Sequence, residues 1–190
     1  MRAIPFGNDG SFSWEDMSAR YTSELANDFG NLASRLLAML EKYCASQIPK
    51  SSEAKELSQS LVRTVTKSDA AMCALDFQGG INSIMDFCKE VNGYVTAKAP
   101  WVVAKDPNRK AELEDILYNT AESLRALAVL LHPVMPISTQ KLWKSLGADL
   151  VLGEIGSQKI SDVANWGQLK PGTKIDKGEI LFPRLEEAEK

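Results

Sequence analysis

Apolar residues recur at helical spacing through residues 25–43. At 100° per residue, Phe29, Leu32, Leu36, Leu40 and Tyr43 fall within an arc of about 80°. Asn27, Asp28, Asn31, Arg35 and Lys42 gather on a separate polar flank. Gly30 interrupts this pattern and marks a kink or the approach of another helix. Upstream, Ser13 reads as an N-cap, with Glu15 and Asp16 in the first turn behind it. Downstream, Ser51 or Ser52 is the expected cap of a helix over 53–74 that carries Leu57, Leu61, Val65 and Met72. Asp76 caps the next helix, in which Phe77, Ile81, Ile84, Met85, Cys88, Val91 and Val95 repeat at spacings of three and four. Pro100 ends that helix, because the residue before a proline is turned away from helical geometry. Residues 101–107 then read as a connector. A fifth helix spans 108–131, Pro133 and Pro136 stop it, and a sixth over 138–145 carries Leu142 and Trp143. Beyond residue 147 recurrent glycines break every period, and Ile180, Leu181 and Phe182 suggest one short strand. The expected fold is all-α: an antiparallel helical bundle over 13–146, with a loop-rich tail over 147–190 that packs back. Residues 2–12, punctuated by Pro5, Gly7 and Gly10, read as an entering strand end and a turn.

Composition narrows the chemistry. The chain has 190 residues, 44% of them hydrophobic, which is enough for one domain with a real core. With 22 basic and 25 acidic side chains the net charge is -3, so any nucleic acid must be held by a local patch rather than a general basic surface. No run of about 20 apolar residues offers a membrane span. The three cysteines, Cys44, Cys73 and Cys88, lie far apart, as reduced cysteines in a cytoplasmic protein would. The single histidine, His132, precedes Pro133 and fits a helix C-terminus better than a catalytic base. No phosphate-binding glycine loop and no metal-peptidase motif is present. Nothing in the pattern assembles a nucleophile, a base and an orienter, so catalysis by this chain alone is not expected, and neither a metal nor a cofactor is expected in it.

Recognition has better candidates. Asn31 and Arg35 are four apart and therefore side by side on a helix. An amide beside a guanidinium offers an acceptor and several donors, which suits the edge of an unstacked base; an ordinary solvated flank with a salt bridge has the same spacing. Trp101 follows Pro100 at a rigid bend, where an indole can stack on a base or close the end of a bundle. Between residues 89 and 110 five cations face two anions, a local positive excess inside an acidic chain.

Several stretches resemble the C-terminal anticodon-binding region of bacterial methionyl-tRNA synthetases, members of class I of the aminoacyl-tRNA synthetases. They are IPFGNDGSFSWE (4–15), ELANDFGNLASR (24–35), DFQGGINSIMDFCKEVNGYVTAKAPWVVAKD (76–106), LHPVMPISTQKLW (131–143) and EILFPRL (179–185). The resemblance implies a helical bundle of the class I anticodon-binding type that grips the CAU anticodon of methionine tRNA. It assigns anticodon contacts to Asn31, Arg35 and Trp101, with Asn27 and Pro100 beside them, and it sets Asn92 and Tyr94 before the turn as supports. It also implies that ATP, and with it any zinc, belongs to a catalytic domain of the same enzyme that this chain lacks, and that residues 1–12 are the end of the connector to that domain. Two alternatives stand beside this: a helical protein-interaction domain, with Trp101 and Trp143 as core or interface anchors, and the anticodon domain of another class I synthetase.

Overall fold

The computed structural model describes residue 7 and residues 9–185, so much of the expectation placed on residues 1–12 lies outside the described residues. Helix α1 (Trp14–Arg20) begins where the sequence puts it, with the Ser13 hydroxyl accepting the Asp16 N–H at 3.2 Å. It runs without a break through a π-helical segment (Tyr21–Gly30) into α2 (Asn31–Tyr43). The π segment is the first departure from expectation. A wheel drawn at 100° per residue does not describe it, and Leu25 is only partly buried while Ala26, Phe29 and Gly30 are buried. Gly30 does admit a neighbour, but the neighbour is the C-terminal tail rather than a helix. A Cβ there would sit 2.9 Å from the Leu25 carbonyl oxygen and 3.2 Å from the Phe182 ring.

Helices α3 (Lys55–Cys73) and α4 (Phe77–Lys98) pack against each other, and the Asp76 carboxylate caps α4 by accepting the Gly79 N–H at 2.8 Å. Neither Ser51 nor Ser52 caps α3. Both hydroxyls turn to the Asp115 carboxylate instead, at 2.8 and 3.3 Å, and Ala54 takes the cap position without a side-chain bond. The connector after α4 contains a one-turn helix, α5 (Pro100–Val103), and a 3-10 turn (Pro107–Arg109). Pro136 opens α7 (Pro136–Ser145) rather than simply stopping its predecessor, since proline fits the first helical position.

The core centres on α6 (Lys110–Leu131), which contacts α2, α3, α4, α5 and α7. Every residue from 116 to 128 is buried, so α6 has no solvent face along that length. Its second face is covered by the tail, which contains α8 (Ala148–Leu152), a 3-10 turn (Ile155–Ser157) and α9 (Ile160–Val163). Glu122 and Arg125, both fully buried, form an ion pair at 2.7 Å. The Glu122 carboxylate also accepts N–H groups of Gly167, Gln168 and Leu169, and Arg125 donates to the carbonyls of Val163 and Asn165. A buried charge is tolerable only when paired and hydrogen-bonded, and here the tail's backbone completes the pairing. Farther on, the Ile48 N–H donates to the Thr173 carbonyl and the Ile48 carbonyl accepts the Gly172 N–H, beside an isolated antiparallel bridge between Gln47 and Lys174. Gly147 lets Lys174 pass: its φ is +65° and a Cβ would collide with the Lys174 carbonyl oxygen. Residues 180–182 form no strand; the segment bends so that Phe182 packs on Phe29 and Tyr21. Among the described residues no helix is long and apolar enough to cross a membrane.

Candidate nucleic-acid interface

The polar flank of the 14–43 run faces solvent where the spacing placed it. Asn27 and Asn31 are exposed and Arg35 is half-buried. Neither asparagine side chain hydrogen-bonds to another described residue, and Arg35 makes no ion pair with a described carboxylate. The ordinary salt bridge that the spacing also allowed is therefore not made among the described residues. These amide and guanidinium groups are available to a ligand.

Trp101 reaches the same place from another helix. Helix α4 ends at Ala99, which adopts the left-handed conformation with φ 43° and ψ 61°. That geometry costs an L-residue about 1–2 kcal/mol. It is held by the turn that follows, in which the Val102 N–H donates to the Ala99 carbonyl and the Ala104 N–H to that of Pro100, both at 2.8 Å. Pro100 occupies the first position of α5, where its missing N–H leaves no helical bond unmade. Pro100 is buried within the turn. The chain thus presents Trp101, 40% exposed, toward α2. The Arg35 guanidinium carbon lies 5.0 Å from the Trp101 ring centroid, a cation–π arrangement.

Arg35 and Trp101 are therefore in contact, and Asn31 lies one helical turn before Arg35 on the exposed flank. Asn27 lies a further turn back, in the π segment. It lines a groove of about 650 Å³ together with Asn31 and Ser34, and the opposite wall is the tail, with Lys177, Ile180 and Phe182. Spacing alone does not reveal this wall, because the tail residues have no periodicity to read. The positive excess around Trp101 is smaller in space than along the chain. Lys89 lies 3.8 Å from Asp86, Arg109 2.7 Å from Glu112 and Lys110 3.6 Å from Glu114.

Asn92 and Tyr94 differ in what they support. The Asn92 amide nitrogen donates to the Cys88 carbonyl at 3.1 Å and, across the helix interface, to the Asp28 carbonyl at 3.3 Å. Its reach is toward the π segment, not toward the turn. Tyr94 is half-buried beneath Lys98, whose ammonium lies 5.8 Å from the ring. Burial, with Glu56 and Asp115 adding to it, pushes its phenol up to about 12. Trp143, by contrast with Trp101, is a core residue, fully buried and donating its indole N–H to the Gly153 carbonyl at 2.8 Å. His132 ends α6 with Nδ1 2.9 Å from the Thr139 hydroxyl. Among the described residues no group of three or more potential ligands is placed to hold a metal.

Residues 54–186 match the family described as the anticodon-binding domain of tRNA ligase. A methionine–tRNA ligase of Streptomyces coelicolor is 54% identical over 98% of this chain and 36% of its own length. One from Bacillus subtilis is 38% identical over 100% of this chain and 28% of its own length. Among solved structures, the free-state methionyl-tRNA synthetase of Mycobacterium tuberculosis superposes with a TM-score of 0.85 at 30% identity, covering 98% of this chain and 38% of that one. The chain thus spans roughly a third of the length of these relatives. The family match includes Pro100 and Trp101 but begins after Asn27, Asn31 and Arg35, which fall within the similarities that cover 98% of this chain.

Proposed function

Because the chain belongs to the family of anticodon-binding domains of tRNA ligases, we propose that its Asn31–Arg35 flank and Trp101 read the CAU anticodon of methionine tRNA for a methionine–tRNA ligase. The observation that carries this reading is the Arg35–Trp101 contact, with an unspent Asn31 amide one turn away. A splayed-out base stacked on the indole would bring its Watson–Crick edge to these groups. Cytosine offers two acceptors and one amino donor along that edge. Arg35 supplies donors for the acceptors, and the Asn31 carbonyl oxygen accepts from the amino group. Uracil reverses the central acceptor into a donor, which leaves a guanidinium N–H facing another N–H. An unpaired, desolvated group of this kind costs about 1–3 kcal/mol, enough to reject the wrong base. Asn27 extends the polar flank toward the neighbouring nucleotide, and Pro100 keeps the indole from retreating.

On this reading the chain contributes no bond-making step. ATP-dependent formation of methionyl-tRNA, with ATP and any zinc, belongs to the catalytic domain of the same enzyme, working in the cytoplasm. The test uses a stem-loop RNA carrying CAU and one with the three bases scrambled. The protein will bind the first more tightly. Trp101→Ala and Arg35→Ala will each weaken that binding by about 5- to 150-fold, the range expected for one stacking contact, while thermal unfolding stays cooperative. Equal affinity of the unaltered protein for the two loops would remove the reading.

A further inference from the structure

Asn92 lies on α4, the helix that ends in the Ala99–Pro100–Trp101 turn, and its amide crosses to the backbone of the π segment. The place it touches is specific. Asp28 lies between Asn27 and Asn31, at the point where π spacing gives way to α spacing. There the Asn31 N–H approaches both the Ala26 and the Asp28 carbonyls. A backbone carbonyl at such a change of register has competing donors, and π turns are seldom stable without outside support. The Asn92 NH2 group provides that support by using its two hydrogens on two carbonyls, one on its own helix and one on the other. Val91 and Cys88 beside it are buried, so water has poor access to replace the bond.

We infer that Asn92 is a positioning residue for the base-reading surface: its bond to the Asp28 carbonyl fixes the Asn27–Asn31–Arg35 flank relative to the turn that presents Trp101. The inference rests on the proposed role of that surface. It separates the amide's hydrogen bond from the residue's bulk, so two variants are informative. Asn92→Leu keeps the approximate shape without a donor, and Asn92→Asp places a carboxylate oxygen against two carbonyls. Both will bind the CAU loop about tenfold more weakly, the effect of losing one good hydrogen bond, with little change toward the scrambled loop. Both will also move the Trp101 indole and Arg35 Nε signals in 15N-resolved spectra of the free protein, while the helical circular dichroism is kept.

Signals and affinities of Asn92→Leu within twofold of the unaltered protein would overturn the inference, even if Asn92→Asp is impaired, since repulsion alone would then explain the latter. If the unaltered protein shows no preference for CAU, the functional reading fails, and the Trp101 and Arg35 signals still decide the positioning. Should both variants unfold, slow exchange of the Asn92 side-chain amide protons in the unaltered protein supports the bond, and fast exchange refutes it.

Discussion

Arg35 meets Trp101 with its guanidinium over the ring, so each of the two restrains the other before any ligand arrives. Such a pair was visible in the sequence only as two unrelated hints, an i, i+4 polar pair and a tryptophan after a proline. Spacing on one helix can be read from sequence; contact between two helices cannot. Asn92 was harder still, because its partner is a backbone carbonyl and so leaves no trace in composition. The cysteines test the packing under this site at single-residue resolution. Burial, with Asp28 adding to it, pushes the Cys88 thiol up to about 12, and burial, with Glu114 adding to it, pushes Cys44 up to about 11. Only the thiolate is alkylated, so at pH 8 Cys88 has about one part in 10,000 in reactive form, besides being out of reach. Iodoacetamide followed by mass spectrometry will therefore modify exposed Cys73 first and Cys88 only on unfolding. Rapid native labelling of Cys88 would show that α4 and the π segment are not tightly joined.

At the scale of elements, the long helices were legible because their apolar residues recur at helical spacing and two of them carry a capping side chain, Ser13 and Asp76, whereas the short α5, α8 and α9 have too few residues to show a period. The failures were local exchanges of partner. Ser51 and Ser52 are good caps by type, yet Asp115 on α6 outcompetes the adjacent backbone for their hydroxyls. The π segment was illegible because 100° periodicity tolerates a slow drift over ten residues, and nothing in residue type distinguishes the two helices. Gly30 gives the segment a clean test. In an exposed α-helix, Gly→Ala stabilises by about 1 kcal/mol. Here a Cβ would press on the Leu25 carbonyl and the Phe182 ring, so Gly30→Ala will destabilise the protein by about 1–3 kcal/mol in urea titration. A stabilised variant would mean that the close approach of tail and helix is not maintained in solution.

For the whole molecule, what sequence reading did not supply was the destination of the tail. Its residues lack a period, and its partners on α6 are a charged pair, Glu122 and Arg125, that no apolar pattern marks as buried. These two form the centre of the joint between α6 and residues 163–169. Glu122→Gln keeps the shape but leaves the Arg125 charge buried without its counter-ion, a change that costs about 3–5 kcal/mol. Denaturant-jump kinetics will show that loss chiefly as faster unfolding, with the folding rate little changed. A loss confined to the folding rate would contradict a joint that closes after the bundle. The same joint sets an order in time during synthesis. Glu122 and Arg125 leave the ribosome about 40 residues before the backbone groups that satisfy them. Until that stretch has emerged, the nascent bundle carries a charged, uncovered seam along its central helix, and a chain released before residue 169 can never close it.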